Sequence, residues 1–476
     1  MKTLFIVIDH GLALGYYFQT NLTQLLVEAG LRLVFIVKDS MLNNAQKQYN
    51  HDNVFFEPLR DTKILQYQSE TLPGIQELLD YVRKASASSK IPLTYVDTHR
   101  QRKEFEAKGR RKIILKTLRP LIFILRISKF ARSVFRWFMS IMYSTKIYND
   151  YFDKYKPDLI LSDTAGWRLD RYILREANRK KINTGTYIIG WDNPSSQGLP
   201  GAFVDYALVW SSIHKWELNK GVDWPEEKIF VVGMPLYDGY ISEKWKINKD
   251  EYYKMHKLDN KKKLIAFAAT ALSISPNLHI IEQLIEIVEK NLLQEPTQLL
   301  IRLHPNHFKP MKHYQEECRK ILELARSHNN VIVVEPVEVA EGLERYSGDD
   351  FPEKASMLSY CDVLVTIYST MVVEASLHDK PIISVCIDSS EGWKENFWIP
   401  LHEVPFWPTA KRINLANAGK TVFNKEELIN SLNEYLINPG LERKERYYFV
   451  ENELTYLKGG STSVTFQTIM KLIGED

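Results

Sequence analysis

Cysteine is scarce: Cys318, Cys361 and Cys386 are the only three in 476 residues. So few, and odd in number, exclude a disulfide framework and fit a reducing cytoplasm. Cys361 and Cys386 border or lie in apolar runs and read as small core residues. Net charge is scarce too, since 62 Lys and Arg against 59 Asp and Glu leave +3. No global field draws nucleic acid, and any basic surface must be local. No run of about 18 uncharged apolar residues occurs, which argues against a spanning helix. The apolar run at 4–8 behind Lys2 stops at Asp9-His10 and has no small-residue cleavage site. It is expected as a strand, not an export signal.

Several motifs are also missing. No Asp-x-Asp triplet offers the carboxylate pair that commonly holds a metal on a nucleotide diphosphate, and no His/Cys spacing suits zinc. No Gly-x-Gly-x-x-Gly follows a strand, as a dinucleotide site requires. Gly419-Lys420-Thr421 looks like the end of a P-loop, but Asn414 stands where its first glycine belongs. The expectation is therefore no metal and no resident cofactor.

What is present is ordinary globular composition, 45% hydrophobic and 25% charged, in a chain long enough for two or three domains. Strand-like runs at 3–9, 33–38, 158–163, 183–189, 206–210 and 228–234 alternate with helical stretches in the first half. A charged segment, 241–263, lacks apolar period and reads as a linker region. The alternation then restarts with strands at 264–270, 298–304, 331–335, 362–368 and 381–387. These runs are rich in Val, Ile and Leu without polar alternation, as a doubly buried parallel sheet demands. Two consecutive doubly wound units follow, and in such sheets ligands sit outside the carboxyl ends of the strands.

The chemistry-bearing residues fall in those loops. Tyr368, Ser369 and Thr370 end one strand and start a helix, whose free N–H groups suit a diphosphate, with Glu374 one turn on, able to reach ribose hydroxyls. A plain Ser/Thr helix cap is the commoner meaning of such a pair. Arg302, His304 and Asn306 flank Pro305 at another strand end. There Arg or His can neutralise phosphate, and His can give a proton to a leaving group. A simple turn that caps the next helix would look the same. Thr270 lies in a loop of small residues, which would let a ligand approach closely, though close helix packing explains such residues equally well. In the first half, His10 follows Asp9; an unperturbed histidine suits a general base for a hydroxyl acceptor, and a satisfied turn histidine beside a carboxylate would look the same. Asp163 and Asp192 are its alternates, and turn chemistry explains part of their pattern.

The two-unit layout, the His304-Pro305-Asn306 turn and the Ser369-Thr370 to Glu374-Ala375 segment resemble GT-B enzymes. The stretches Trp191-Asp192-Asn193, Val209-Trp210-Ser211 and Val232-Gly233-Met234-Pro235 look like those of surface-polysaccharide proteins, including CDP-glycerol glycerophosphotransferases. The similarity runs from about 158 to 377. It implies two Rossmann-like domains facing each other across a cleft. Residues 1–250 would bind the acceptor and carry a basic amphipathic insertion near 100–145. Residues 251–445 would hold the nucleotide donor, and the helical segment 446–476 would pack back on the first domain. By the same resemblance Ser369, Thr370 and Glu374 would bind donor diphosphate and ribose, His304 the phosphate, and His10 would be the acceptor's base.

The expected activity is metal-independent transfer of a sugar from a nucleotide-sugar to a hydroxyl of a lipid-linked or surface glycan. The alternatives are a polyol-phosphate transferase using a CDP donor, an enzyme like the non-hydrolysing UDP-N-acetylglucosamine 2-epimerases, or a nucleotide-binding protein without turnover. The epimerases share the His-Pro-Asn turn but carry paired glutamates where Ser369-Thr370 and a single Glu374 stand here. Between Arg100 and Arg136 lie thirteen Lys or Arg and only Glu104 and Glu106, interleaved with apolar clusters. That pattern suits a helix lying on anionic lipid at the inner membrane face. A solvated helix pair would carry the same charges, while nucleic acid lacks its aromatic sheet motif.

Overall fold

Strands without polar alternation are buried on both faces, and in Thr3–Ile8 every residue is buried. The computed structural model describes residues 1–143, 145–309, 311–336, 350–389 and 399–474. Its chain divides into two units, Met1–Asp238 with Leu454–Asp476, and Gly239–Glu453. In the first, β1 (Thr3–Ile8), β2 (Arg32–Val37), β3 (Val54–Pro58), β4 (Leu159–Ser162), β5 (Asn183–Tyr187), β6 (Tyr206–Val209) and β7 (Ile229–Val231) form one sheet. Their order is β3-β2-β1-β4-β5-β6-β7, and each pairing is parallel.

The second unit repeats the plan with β8 (Lys263–Ala268), β9 (Thr297–Arg302), β10 (Val331–Val334), β11 (Val363–Thr366), β12 (Ile382–Val385) and β13 (Lys420–Val422). The order is β10-β9-β8-β11-β12-β13, again parallel. The connections reverse direction between β1 and β4 in one sheet and between β8 and β11 in the other. Those are the switch points where open sheets leave a crevice.

Two edge strands, β3 and β13, have no counterpart in the sequence expectation. Edge strands are short and half wet, so Phe55 is exposed and β13 has three residues. The P-loop-like Gly419-Lys420-Thr421 runs into β13. A Cβ on Gly419 would stand 2.8 Å from the Ile382 carbonyl oxygen, so glycine serves close strand approach there. The charged segment 241–263 contains helix Lys249–Met255, which buries Tyr252 and Tyr253.

Two further features frame the first unit. The Asp238 carboxylate accepts from the Ser461 and Thr462 amides at 3.2 and 2.8 Å, capping helix Ser461–Ile473. The basic stretch folds into helices Thr94–Glu106, Gly109–Thr117, Arg119–Ile127 and Lys129–Met142. Their inner faces put Leu115, Ile122, Leu125, Phe135 and Met139 into the core of this unit. Arg132, buried, ties the last helix to Asp223 at 2.5 and 2.8 Å.

Candidate functional site

In the second unit, strand register brings the candidate loops to one level. Ala268 pairs with Arg302 on one side and with Thr366 on the other, so β9, β8 and β11 end on the same rung. The Ala269 amide donates to the Arg302 carbonyl at 3.0 Å. The Thr366 hydroxyl donates to the Ala268 carbonyl at 3.0 Å and lies 3.4 Å from Ser369 Oγ. Thr270, Arg302, His304, Ser369 and Thr370 therefore all lie within four residues of one rung beside the switch point.

The loops are held by residues that sequence reading missed. Asn277, fully buried, accepts from the Thr270 amide at 2.8 Å and donates to its carbonyl at 3.1 Å. Glu317, on helix Lys312–Arg326, accepts from the Asn277 and Leu278 amides at 2.5 and 3.1 Å. Its other oxygen lies 3.2 Å from His307 Nε2. His307 Nδ1 donates in turn to the His304 carbonyl at 3.0 Å. The only local signal for this chain was a second histidine three residues after His304.

His304 has a defined protonation. Its Nδ1 accepts from the Asn306 amide at 3.1 Å, which leaves the ring proton on Nε2. The residue is half-buried, yet burial is the largest cause pushing its pKa down to about 3, followed by His307, Lys309 and Arg302 nearby. It is a neutral hydrogen-bond donor at physiological pH. Arg302 is buried and pairs through Nη2 with Asp350, at the start of helix Phe351–Tyr360. Its Nη1 and the Asn306 Oδ1 are buried without a hydrogen-bond partner among the described residues.

Other candidates point elsewhere. The Tyr368 hydroxyl donates to Asn414 Oδ1 at 2.6 Å and touches the Thr421 hydroxyl, toward β13. Its backbone, at φ 22°, is strained at the strand end. Glu374 is buried in an ion pair with Lys354 at 3.1 Å. Thr370 caps the short helix Met371–Leu377 without a side-chain hydrogen bond, while Ser369 Oγ accepts from the Met371 amide at 3.2 Å.

In the first unit, Asp163 Oδ2 accepts from the amides of Asp9 and His10 at 3.0 and 2.7 Å. Asp163 thus fixes the loop that presents His10, and its Oδ1 is buried without a partner among the described residues. Asp170 binds the Gly166 and Arg168 amides at 3.0 and 3.2 Å. Asp9 Oδ2 accepts from the Leu169 amide at 2.5 Å. Burial, then mutual repulsion with Asp9, pushes Asp163 well above the usual carboxylate range and Asp170 up to about 7. Burial raises Asp9 as well, against the pull of Arg168 and Lys38. Asp192 is half-buried on the next loop, before Asn193–Ser196. Tyr16 OH donates to the Ile189 carbonyl at 2.6 Å, tying that loop to the helix that follows His10. No group of three or more His, Cys, Asp or Glu that could hold a metal occurs among the described residues.

A family model described as CDP-Glycerol:Poly(glycerophosphate) glycerophosphotransferase matches residues 67–471. No curated protein matches the chain. UDP-GlcNAc 2-epimerase from Neisseria meningitidis, bound to UDP-GlcNAc, superposes with a TM-score of 0.53 at 14% identity, covering 98% of this chain and 100% of that one. The S. aureus MnaA–UDP co-structure gives 0.54 at 13% identity, covering 100% and 98%. A glycosyltransferase from Rickettsia africae gives 0.50 at 10% identity, covering 100% and 99%. At such identities the likeness shows the fold, and that fold is GT-B.

Proposed function

The chain belongs to the CDP-Glycerol:Poly(glycerophosphate) glycerophosphotransferase family, and from that premise we propose that it transfers a polyol phosphate from a CDP-type donor to an acceptor hydroxyl. The acceptor oxygen bonds to the phosphorus nearer the polyol, and the bond from that phosphorus to the bridging diphosphate oxygen breaks. CMP leaves with that electron pair, and the hydroxyl proton passes to a base. Of the three candidates, His10 suits that role best. Asp163 is committed to two backbone amides and keeps its own proton, and Asp192 is the remaining alternate.

The donor side rests on one observation above the rest: the neutral His304 and the buried Arg302, whose Nη1 has no partner among the described residues, at the same strand end. A guanidinium and an Nε2–H aimed at developing charge stabilise a departing phosphate without water's reorganisation cost. Held neutral, His304 has no spare proton to give, so its part is hydrogen bonding rather than acid catalysis. Thr270 and the Ser369-Thr370 loop complete the crevice beside it. Sugar transfer from a nucleotide-sugar, the first expectation, has only the shared fold behind it. The test is His304→Ala in calorimetric titration with CDP-glycerol. At least a tenfold weakening is expected, about 1.4 kcal/mol, and unchanged affinity would remove the donor-site assignment.

The same reading places the acceptor at a membrane. Helix Lys129–Met142 carries a second apolar stripe facing outward, Phe130, Val134, Trp137, Phe138 and Ile141, spaced as one helical face. Phe130 is 79% exposed, and the exposed Ile113, Phe123 and Ile127 on the preceding helices extend the surface. Lys108, Arg110, Arg111, Lys112 and Lys116 are exposed nearby in sequence. Apolar side chains in a field of cations match an anionic lipid surface. Among the described residues no helix is long and apolar enough to cross a membrane.

A further inference from the structure

A cavity of about 610 Å³ lies in the first unit between helices Pro73–Lys84, Thr94–Glu106 and Gly109–Thr117, apart from the strand ends. Its size is that of small-molecule sites. Lys84, Lys103, Lys108 and Arg111 line it as cations, with His99 among them; Glu77, Asp80 and Glu106 are its carboxylates. Each carboxylate is already engaged. Glu77 pairs with Arg111 at 2.8 Å, and Glu106 with Arg102 and Lys103 at 2.8 and 2.9 Å. Asp80 serves Arg83, Arg171 and Lys84 at 2.9, 3.0 and 3.7 Å. Four cations therefore line the cavity against three carboxylates, and Arg83, Arg102 and Arg171 stand behind those carboxylates as their further partners.

That excess is felt inside. Burial first, then the neighbouring Lys84 and Lys103, push His99 down to about 3. Burial is the largest cause bringing Lys84 down to about 8; Asp80 pulls the other way, and Arg83, Arg171 and Lys103 add to the fall. Crowded cations that expel each other's protons are relieved by an anion.

The location narrows which anion. All three lining helices also carry exposed apolar residues, Ile75 on the first, Phe105 on the second and Ile113 and Ile114 on the third. The cavity wall and the proposed lipid-facing surface therefore share elements. Behind Asp80, on the cavity wall, its partner Arg83 reaches toward the candidate acceptor loops. Arg83, fully buried, donates to the Leu199 and Gln197 carbonyls at 2.7 and 3.2 Å, just past Asp192.

We propose that this cavity binds the phosphate headgroup of an anionic membrane lipid, holding the protein on the bilayer beside its acceptor loops. The inference rests on the membrane-facing reading of the neighbouring helices. A headgroup phosphate would be taken by Lys103, Lys108 and Arg111 at the rim and Lys84 within, while the glycerol and the first acyl carbons meet Leu78, Ala107 and Leu115.

Lysine acetylation footprinting of the full chain tests it. Soluble short-chain phosphatidylglycerol, below its micelle concentration, should slow acetylation of Lys84 at least fivefold, and short-chain phosphatidylcholine should not. Lys103→Gln with Arg111→Gln should abolish the protection. Both side chains are about half exposed, so that variant keeps the fold. Lys84 reacting equally with and without phosphatidylglycerol would overturn the proposal, as would inorganic phosphate protecting it equally well, which would assign a free anion instead. Phe130→Ser with Trp137→Ser separates the two readings. It should weaken sedimentation with phosphatidylglycerol vesicles at least threefold while short-chain lipid still protects Lys84. Undiminished sedimentation with protection intact would sink the membrane face and leave the cavity standing.

Discussion

His304 shows what a single residue's surroundings decide. From sequence, the His-Pro-Asn turn and Arg302 could be picked out, because Pro305 ends a strand and the residue types suit phosphate. The protonation could not, since it depends on the Asn306 amide reaching Nδ1 and on burial by the folded loop. Tyr368 is the converse case. Its place after a buried strand suggested the donor, but its hydroxyl is committed to Asn414 and Thr421, dozens of residues away. The buried carboxyls of the first unit carry a pH prediction. Asp170 holds its proton up to about 7 when folded and releases it near 3.8 when unfolded. Between those values folding takes up a proton, so the stability this group contributes falls as pH rises, by at most roughly 4 kcal/mol. Asp170→Asn cannot ionise and should gain on the wild type in thermal midpoint from pH 5 to pH 8. Parallel curves would show that Asp170 titrates normally.

At the scale of elements, the sequence told helix from strand in the doubly buried core and failed at the margins. Apolar runs are strong signals where both faces are covered. β3 and β13 gave none because an edge strand needs apolar side chains on one face only, and β13 is three residues long. The supports of the site were illegible for another reason. Asn277, His307 and Glu317 act across some forty residues, and nothing local announces that one glutamate satisfies the first amides of another helix. Removing it should be felt there. Glu317→Ala leaves one buried and one part-buried amide without its acceptor, a cost of roughly 1–3 kcal/mol. Amides in helix Leu278–Glu289 should then exchange at least tenfold faster. An unchanged exchange rate would mean that Glu317 does not hold that helix start. The outward stripe on Lys129–Met142 belongs to the same scale: its period was readable, but only the fold showed that Phe135 and Met139 turn inward while Phe130 and Trp137 do not.

For the whole molecule, two doubly wound units were legible because parallel sheets impose the same alternation twice. The strand orders were not, since register and neighbours are set by packing between segments far apart in sequence. Where Leu454–Asp476 returns to the first unit, Asp238 caps a helix more than two hundred residues later. GT-B folds host several chemistries, so the fold by itself leaves the transferred group open. Family membership, the neutral His304 and the Arg302 Nη1 left without a partner among the described residues together favour a departing nucleotide phosphate. The most direct test is turnover by the full chain of CDP-glycerol and, separately, of UDP-N-acetylglucosamine, with and without a glycerophosphate-bearing acceptor. The account predicts acceptor-dependent release of CMP, one per glycerol phosphate transferred, and its loss in His304→Ala. Turnover of the UDP-sugar with none of CDP-glycerol would contradict it.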